Sequence, residues 1–464
     1  MKSGNDRLAR TRGREGRAEC AQSPGSSAAE TLSSGTVASR LRRIAQQTRE
    51  QPQRVWSSLH HVIDMELLRE AHRLTRKDGA TGVDGQTAAE YGNDLEKNLE
   101  SLLGRFKRGT YQAPPVRRVH IPKSDGRMRA LGIPTYEDKI LQRAVAMVLE
   151  AVYEPHFRDS SYGFRRGKSA HQAVSAIWNA AMAMNGGWVL DADIEKFFDS
   201  ISHEHLERIL DERVTDGVLR GALRRWLKAG VLEEGALAPT DEGTPQGGVI
   251  SPLLANIFLH HVLDEWFATE VTVRLAGRAE LVRYADDFVI LFEYGDDARR
   301  VHAVLMKRLE RFGLSLHPKK TRLQRFTRPG RHEGPKGPGS FGFLGFTFHW
   351  ARARSGIWVV RHITAKDRFT RALARVREWC RAHMHDPVVD QHRALRAKLT
   401  GHFGYFGVRG NLDRLSQFLY EVRRAWFRSL SRRTGKKRLT WSRFAEILER
   451  LPLPRARLRA AVPR

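Results

Sequence analysis

The sequence predicts an α+β fold, with a centre that mixes short strands and helices followed by a basic, wholly helical end. Between Tyr111 and about Trp350, short apolar runs of strand length alternate with helical patterns, and most of the Gly and Pro punctuation falls there. Beyond Ile363 the strand pattern stops and amphipathic helices rich in arginine take over. A chain of 464 residues, 41% hydrophobic, is long and apolar enough for about two to four domains, each with its own core.

Residues 1–40 are rich in Ser, Gly, Ala, Arg and Glu with almost no large apolar side chains, so they are expected to form a disordered basic tail. Order is expected from near Val37. Residues 41–110 read as a helical extension broken by the turn-rich KDGATGVDG around Gly79, Gly82 and Gly85, and residues 111–355 as the mixed centre. In AKDRFTRALARVREWCRAHM, helical spacing places Phe369, Leu373, Val376, Cys380 and Met384 on one face. A second such helix, NLDRLSQFLYEVRRAWFRSL, carries the stripe Leu412, Leu415, Leu419, Val422 and Trp426, with Arg414, Arg423, Arg424 and Arg428 off it. These helices make up a segment over 356–430, and residues 431–464 are more basic still. No repeat of solenoid period is present.

The charge restricts the class of partner. Lys plus Arg number 80 against 52 Asp plus Glu, a net +28 that exceeds what solubility requires and points to a polyanion. No apolar run approaches the roughly 20 residues that span a bilayer, and the N-terminus lacks the apolar core of a signal peptide. Nucleic acid is therefore the expected partner, with no membrane. Cys20 and Cys380 are the only two cysteines, too few for a disulfide framework or a four-cysteine zinc site, which fits a reducing cytoplasm.

Three central segments carry the chemistry. In WVLDADIEKFFDSISHEHL, the apolar run from Trp188 to Leu190 reads as a buried strand that delivers Asp191 and Asp193 to the same side at its end. In LVRYADDFVILF, two β-prone runs flank Asp286 and Asp287, placing the acidic pair at the turn of a hairpin. Adjacent carboxylates in apolar surroundings are costly unless a cation neutralises them, and carboxylate oxygens without Cys or clustered His suit Mg²⁺ or Mn²⁺. Two such ions a few ångströms apart would stabilise both oxygens of a phosphoryl transfer. The third segment, DEGTPQGGVISPLLANIFLHHVLDEWF, offers a glycine-bearing loop at Gly243, Gly247 and Gly248 before an apolar helix, able to approach a nucleotide closely.

In sequence order, with TRKDGATGVDG, RRVHIPKSDGRMRALGIPTYEDKILQRAV, SYGFRRGKSAHQAV, GLSLHPKKT and FGFLGFTF, these make eight segments that resemble the reverse transcriptases encoded by group II introns, from about Leu59 to about Pro454. The resemblance implies a right-hand polymerase: the start of the fingers within 41–110, fingers and palm with an antiparallel palm sheet over 111–355, a helical thumb (domain X) over 356–430, and a basic DNA-binding region over 431–464. It implies Asp193, Asp286 and Asp287 as catalytic carboxylates, and these with Ile194 as the site of two Mg²⁺ ions, for which Mn²⁺ can substitute. Phe198 matches the aromatic gate that excludes a 2′-hydroxyl, Gln246 a contact to the incoming nucleotide, Lys123 and Arg129 the pair that holds its triphosphate, and Lys320 a lysine near the phosphates. Leu344 and Gly345 match the primer grip, and Arg414, Arg423, Arg424 and Arg428 would meet RNA. The implied partners are intron RNA, an RNA template with a DNA primer, target DNA and dNTPs, and the implied roles are cDNA synthesis, assistance to splicing and retrohoming. Whether the protein is a monomer or a homodimer is left open.

Two other classes fit the sequence: an RNA-binding splicing factor with a vestigial polymerase, against which Asp193, Asp286 and Asp287 argue, and a relative recruited to phage defence or DNA repair. No HNH-type endonuclease is visible, so insertion is expected to use another primer, such as a nick or a replication fork. GFRRGKS is no P-loop, because three residues rather than four separate Gly163 from Gly167. His203, Glu204 and His205, like His260 and His261, lack zinc spacing and are expected in surface or packing roles. Arg166 departs from the proline usual in the family's loop.

Overall fold

The computed structural model describes residues 36–122, 128–233, 236–238, 243, 247–330, 339–433 and 439–458. Most of the expected N-terminal tail therefore lies outside the described residues. Helix α1 (Val37–Glu50) opens on a Thr36 cap, followed by α2 (Met65–Leu74), α3 (Ala88–Asn93) and α4 (Leu95–Lys107). Asp64 caps α2, and Thr87 with Glu90 forms a reciprocal capping box on α3, so the starts of α1 to α3 are fixed by side chains that satisfy orphan N–H groups.

The mixed centre contains β1 (Val116–Pro122), β2 (Met128–Ile133), α5 (Tyr136–Tyr153), α6 (Ala170–Ala183), β3 (Trp188–Asp193), α7 (His203–Asp211), α8 (Gly217–Leu227), β4 (Val231–Glu233) and β5 (Ala236–Ala238). It continues through α9 (Ser251–Leu259), which runs on into π-wound turns over His260–Glu265 and Phe267–Val271. Next come β6 (Ala279–Tyr284), β7 (Asp287–Phe292), α10 (Gly295–Glu310), β8 (Arg322–Arg325), β9 (Ser340–Phe343), β10 (Phe346–Arg352) and β11 (Trp358–Thr364). Among the described residues the strands form three sheets, ordered β2-β1-β4-β5, β6-β7-β3-β8 and β11-β10-β9. In the first, β1 pairs with β4 in parallel; the second and third are antiparallel throughout.

The sheet β6-β7-β3-β8 lies between two hydrophobic cores, which explains why its inner strands β3 and β7 carry the apolar runs 188–190 and 288–292. Leu190, Ala192, Phe288, Ile290 and Phe292 join the larger core around α5 and α9, while Val189, Val289 and Leu291 join a second core with α6 and the aromatic residues Phe341, Phe348 and Trp350. Because side chains alternate along a strand, Asp191, Asp193 and Asp287 belong to the face of Val189 and Val289.

After β11 come α11 (Lys366–Ala382), α12 (Val388–Phe406), α13 (Leu412–Arg433) and α14 (Trp441–Arg450), with a core of their own built on Leu373, Leu395, Leu399, Leu415, Val422 and Trp426. Two details of the expected stripes are corrected. Leu412, at the first residue of α13, is 43% exposed, and Met384 lies past the end of α11. The expected pair of helices is also incomplete, since α12 stands between them. Cys380 is buried at their junction, and burial pushes its thiol up to about 11. Among the described residues no helix is long and apolar enough to cross a membrane.

Candidate active site

Strand β3 ends on Asp193, and the antiparallel register sets Asp193 directly across from Asp287 at the start of β7. Tyr284 pairs with Asp287 across the β6–β7 hairpin, which leaves Ala285 and Asp286 as its two-residue turn. Ala285 takes the left-handed conformation with φ 59°, as tight two-residue hairpin turns require. The acidic pair therefore sits at a hairpin turn beside the strand-borne aspartate, as its apolar flanks predict. Three carboxyl groups, Asp191, Asp193 and Asp287, share one sheet face, with Asp286 at its rim.

This arrangement is electrostatically expensive. Burial, then repulsion from Asp191, Asp286 and Asp193, pushes the Asp287 carboxyl up to about 8, with Lys320 acting in the opposite direction. Burial likewise pushes Asp191 up to about 7, against the pull of Arg322 opposite it on β8. The Lys320 ammonium lies 2.7 Å from Asp193 Oδ2, and the main-chain carbonyl of Asp193 accepts from the His317 N–H at 2.8 Å. Crowded, half-desolvated carboxylates of this kind gain most from a divalent cation, whose charge reverses the local cost of ionisation. Among the described residues no three His, Cys, Asp or Glu side chains form a ready metal cage. Mg²⁺ does not need one, because it keeps several waters and binds through one or two carboxylates together with substrate phosphates. The donor set fits such an ion, with Asp193, Asp286 and Asp287 as carboxylate ligands; Ile194, whose side chain is buried and apolar, could offer only its carbonyl.

Two loops follow from this framework, one directly after β3 and one before α9. Phe198, in the short 3-10 turn Phe197–Asp199, is half-buried against Phe197, and a Cβ on Gly243 would come within 2.8 Å of its carbonyl oxygen. The Gly243 N–H donates to Ile201 O at 2.9 Å, and its carbonyl lies 2.6 Å from His203 Nε2. Gly247, at φ 115°, packs on the carbonyl of Gly132 in β2. The glycine-bearing loop thus reaches from Phe198 to the first sheet at these two points. Just beyond it, the N–H groups of Val249 and Ile250 donate to Gln142 Oε1 at 2.8 and 3.4 Å. Gln142 in turn donates to Asp138 at 3.0 Å, which also accepts from Trp226 at 2.6 Å and from the Tyr111 hydroxyl.

A family model described as reverse transcriptase (RNA-dependent DNA polymerase) matches residues 121–348. The protein YkfC of Escherichia coli is 34% identical over 271 residues, 51% of this chain and 71% of YkfC. The group II intron-encoded protein LtrA of Lactococcus lactis is 36% identical over 229 residues, 48% of this chain and 37% of LtrA. The chain belongs to the group II intron-encoded reverse transcriptase and maturase family. The nuclear intron maturase 4 of Arabidopsis thaliana is a more distant relative, 27% identical over 203 residues, 44% of this chain and 24% of that protein.

Of the residues singled out by resemblance to group II intron reverse transcriptases, the structure brings together Asp193, Ile194, Asp286, Asp287 and Lys320 around β3 and β7, with Phe198 on the segment that follows β3. Leu344 and Gly345 form a two-residue β9–β10 turn at φ 49° and 80°, where Leu344 O accepts from the Tyr405 hydroxyl at 2.9 Å. Lys123 and Gln246 lie outside the described residues; Arg129 is described for its backbone alone, paired with Ile121. Arg414, Arg423, Arg424 and Arg428 sit on α13, far along the chain from the acidic face; Arg424 pairs with Glu421 at 3.1 Å and Arg428 is exposed. Sequence reasoning missed Gln142 and Gly163. A Cβ at Gly163 would fall 2.3 Å from the N atom of Ala285, so SYGF lies directly on the acidic turn. His203, expected in a surface or packing role, meets the Gly243 carbonyl through Nε2.

Proposed function

We propose that this chain is a Mg²⁺-dependent, RNA-directed DNA polymerase of right-hand architecture that also assists intron splicing and retrohoming. The observation that carries the reading is the register that sets Asp193 across from Asp287, with Asp286 in the adjoining turn. In this reading the antiparallel sheet β6-β7-β3-β8 is the palm, the β1–β2 hairpin with its surroundings the fingers, and α11 to α14 the thumb and its basic extension. Asp193, Asp286 and Asp287, with the carbonyl of Ile194, hold two Mg²⁺ ions. Ions held there would supply positive charge to the attacking and leaving oxygens.

The chain's own groups do the rest. The primer 3′-hydroxyl gives its proton to water as its oxygen forms a bond to the α-phosphorus of a dNTP, and the bond from that phosphorus to the bridging oxygen of pyrophosphate breaks. Lys320, already at Asp193, supplies positive charge beside the triphosphate; Lys123 and Arg129 bind its outer oxygens. Phe198 lies under the sugar and excludes a 2′-hydroxyl, held there by the close approach of Gly243. Gln246 contacts the nucleotide, and the Leu344–Gly345 turn positions the primer strand. Arg414, Arg423, Arg424 and Arg428 bind RNA through its phosphates. The roles in splicing and mobility rest on kinship with LtrA, described as a group II intron-encoded protein, and with the plant intron maturase. On an RNA template with a DNA primer, the wild type should incorporate dNTPs, and Phe198→Val should lower its preference for dNTP over rNTP by about tenfold or more. A wild type that extends no primer would contradict the polymerase reading; unchanged sugar preference in Phe198→Val would contradict the gate.

A further inference from the structure

Arg283 lies two residues before the acidic turn, at the penultimate position of β6, and its side chain is fully enclosed. All five N–H donors of a guanidinium have partners here. Nε donates to Asp264 Oδ1 at 2.7 Å, and Nη2 to Asp264 Oδ2 at 2.5 Å and Ser161 Oγ at 2.8 Å. Nη1 donates to Asn256 Oδ1 at 3.0 Å and to the carbonyl of Ala285 at 2.9 Å. That last acceptor belongs to the peptide joining Ala285 to Asp286.

The surroundings converge on the same turn. The Arg283 N–H donates to Ser160 O and its carbonyl accepts from Tyr162, both at 2.8 Å, so the 160–162 segment runs beside β6. Asn256 Nδ2 donates to the carbonyl of Gly163 at 2.7 Å, bracing the residue that lies against Ala285. Asn256 and Asp264 are eight residues apart, and eight residues of ideal α-helix end about a quarter-turn off the starting face. The π winding over His260–Glu265 is wider, which lets both side chains meet one guanidinium, and such insertions recur at functional sites.

A buried ion pair is poor evidence for a purely stabilising role, because well-packed apolar residues often serve a fold equally well. An apolar pair could not hold the Ala285 carbonyl. We propose that Arg283, with Asp264 as its charge partner and Asn256 as its brace, is a positioning residue that fixes the peptide leading into Asp286 and thereby sets Asp286 and Asp287 for catalysis. This rests on the polymerase reading above.

The test compares the wild type with Arg283→Met/Asp264→Leu, which removes both charges together, and with Arg283→Lys, which keeps the charge pair but lacks the planar fork. Each is assayed on an RNA template with a DNA primer for kcat, dNTP KM and template–primer Kd, and by electron paramagnetic resonance for Mn²⁺ bound to the protein–template–primer complex. Expected are cooperative unfolding and a template–primer Kd within about twofold of wild type, a kcat lower by about a hundredfold, and Mn²⁺ bound several-fold more weakly. A folded variant with kcat and Mn²⁺ affinity within twofold of wild type would overturn the proposal. Loss of cooperative folding in both variants would also overturn it, by reducing Arg283 to a packing element. An inactive wild type would instead remove the polymerase reading on which it stands.

Discussion

Gly163 shows how much of the acidic site is decided by single residues remote in sequence. It has no room for a Cβ, which would meet Ala285 N at 2.3 Å and the Tyr284 carbonyl carbon at 2.9 Å. Gly163→Ala should therefore push the turn off β6, at a cost of about 1–3 kcal/mol by the usual price of overpacking, and lower polymerisation more than it lowers template binding. Equal stability and rate in wild type and variant, by denaturant titration and primer extension, would refute that contact. The carboxylates themselves were legible, because an apolar strand ending in acid and an acidic pair between β-prone runs have few other uses. The contact of Gly163 with Ala285 was not, since the two are 122 positions apart and nothing local to either records the other. The Lys320–Asp193 pair was hidden in the same way: position matched the lysine to the phosphates, but only folding shows the carboxylate it meets.

Elements were legible where periodicity was strong and obscure where packing overrode it. Helix α12 buries Leu395, Leu399 and Phe403, yet Gly401 and Gly404 in its last turns weaken the helical pattern, and it went unread as an element. Its C-terminal Tyr405 then bonds the β9–β10 turn, tying the helical region to the third sheet. Helix α5 carries a second hidden device, the buried chain from Asp138 through Gln142 to the backbone at Val249. Burial pushes the Asp138 carboxyl up to about 6 from its usual 3.8, although Tyr111, Trp226 and Gln142 donate to it. A group with a raised folded-state pKa holds its proton more tightly when folded, so its contribution to stability is present below about pH 4 and is lost as pH rises through about 6. That change is on the order of 3 kcal/mol. Asp138→Asn lacks the titration, so the stability advantage of wild type over this variant should shrink between pH 4 and pH 6.5 in urea titrations. A constant difference across that range would show that Asp138 does not titrate there.

For the whole molecule, the excess of positive charge is the property most directly readable from the sequence, and its distribution the least. The +28 net charge predicts binding to nucleic acid that weakens steeply with salt, the slope scaling with the number of phosphates neutralised. On α13, Arg424 already pairs with Glu421 while Arg428 is exposed. Arg428→Ala should thus flatten the salt dependence of RNA binding by about one unit of slope, and Arg424→Ala by less. RNA affinity indifferent to salt would contradict a phosphate-binding role for these helices. Whether the hairpin opposite Asp193 holds the catalytic metal is decided by primer extension on an RNA template with dNTPs and Mg²⁺, comparing wild type with Asp286→Asn/Asp287→Asn at equal template–primer binding. With the metal at that hairpin, the wild type extends the primer and the variant loses about a thousandfold or more; a variant that extends primers within tenfold of wild type would place the catalytic metal elsewhere.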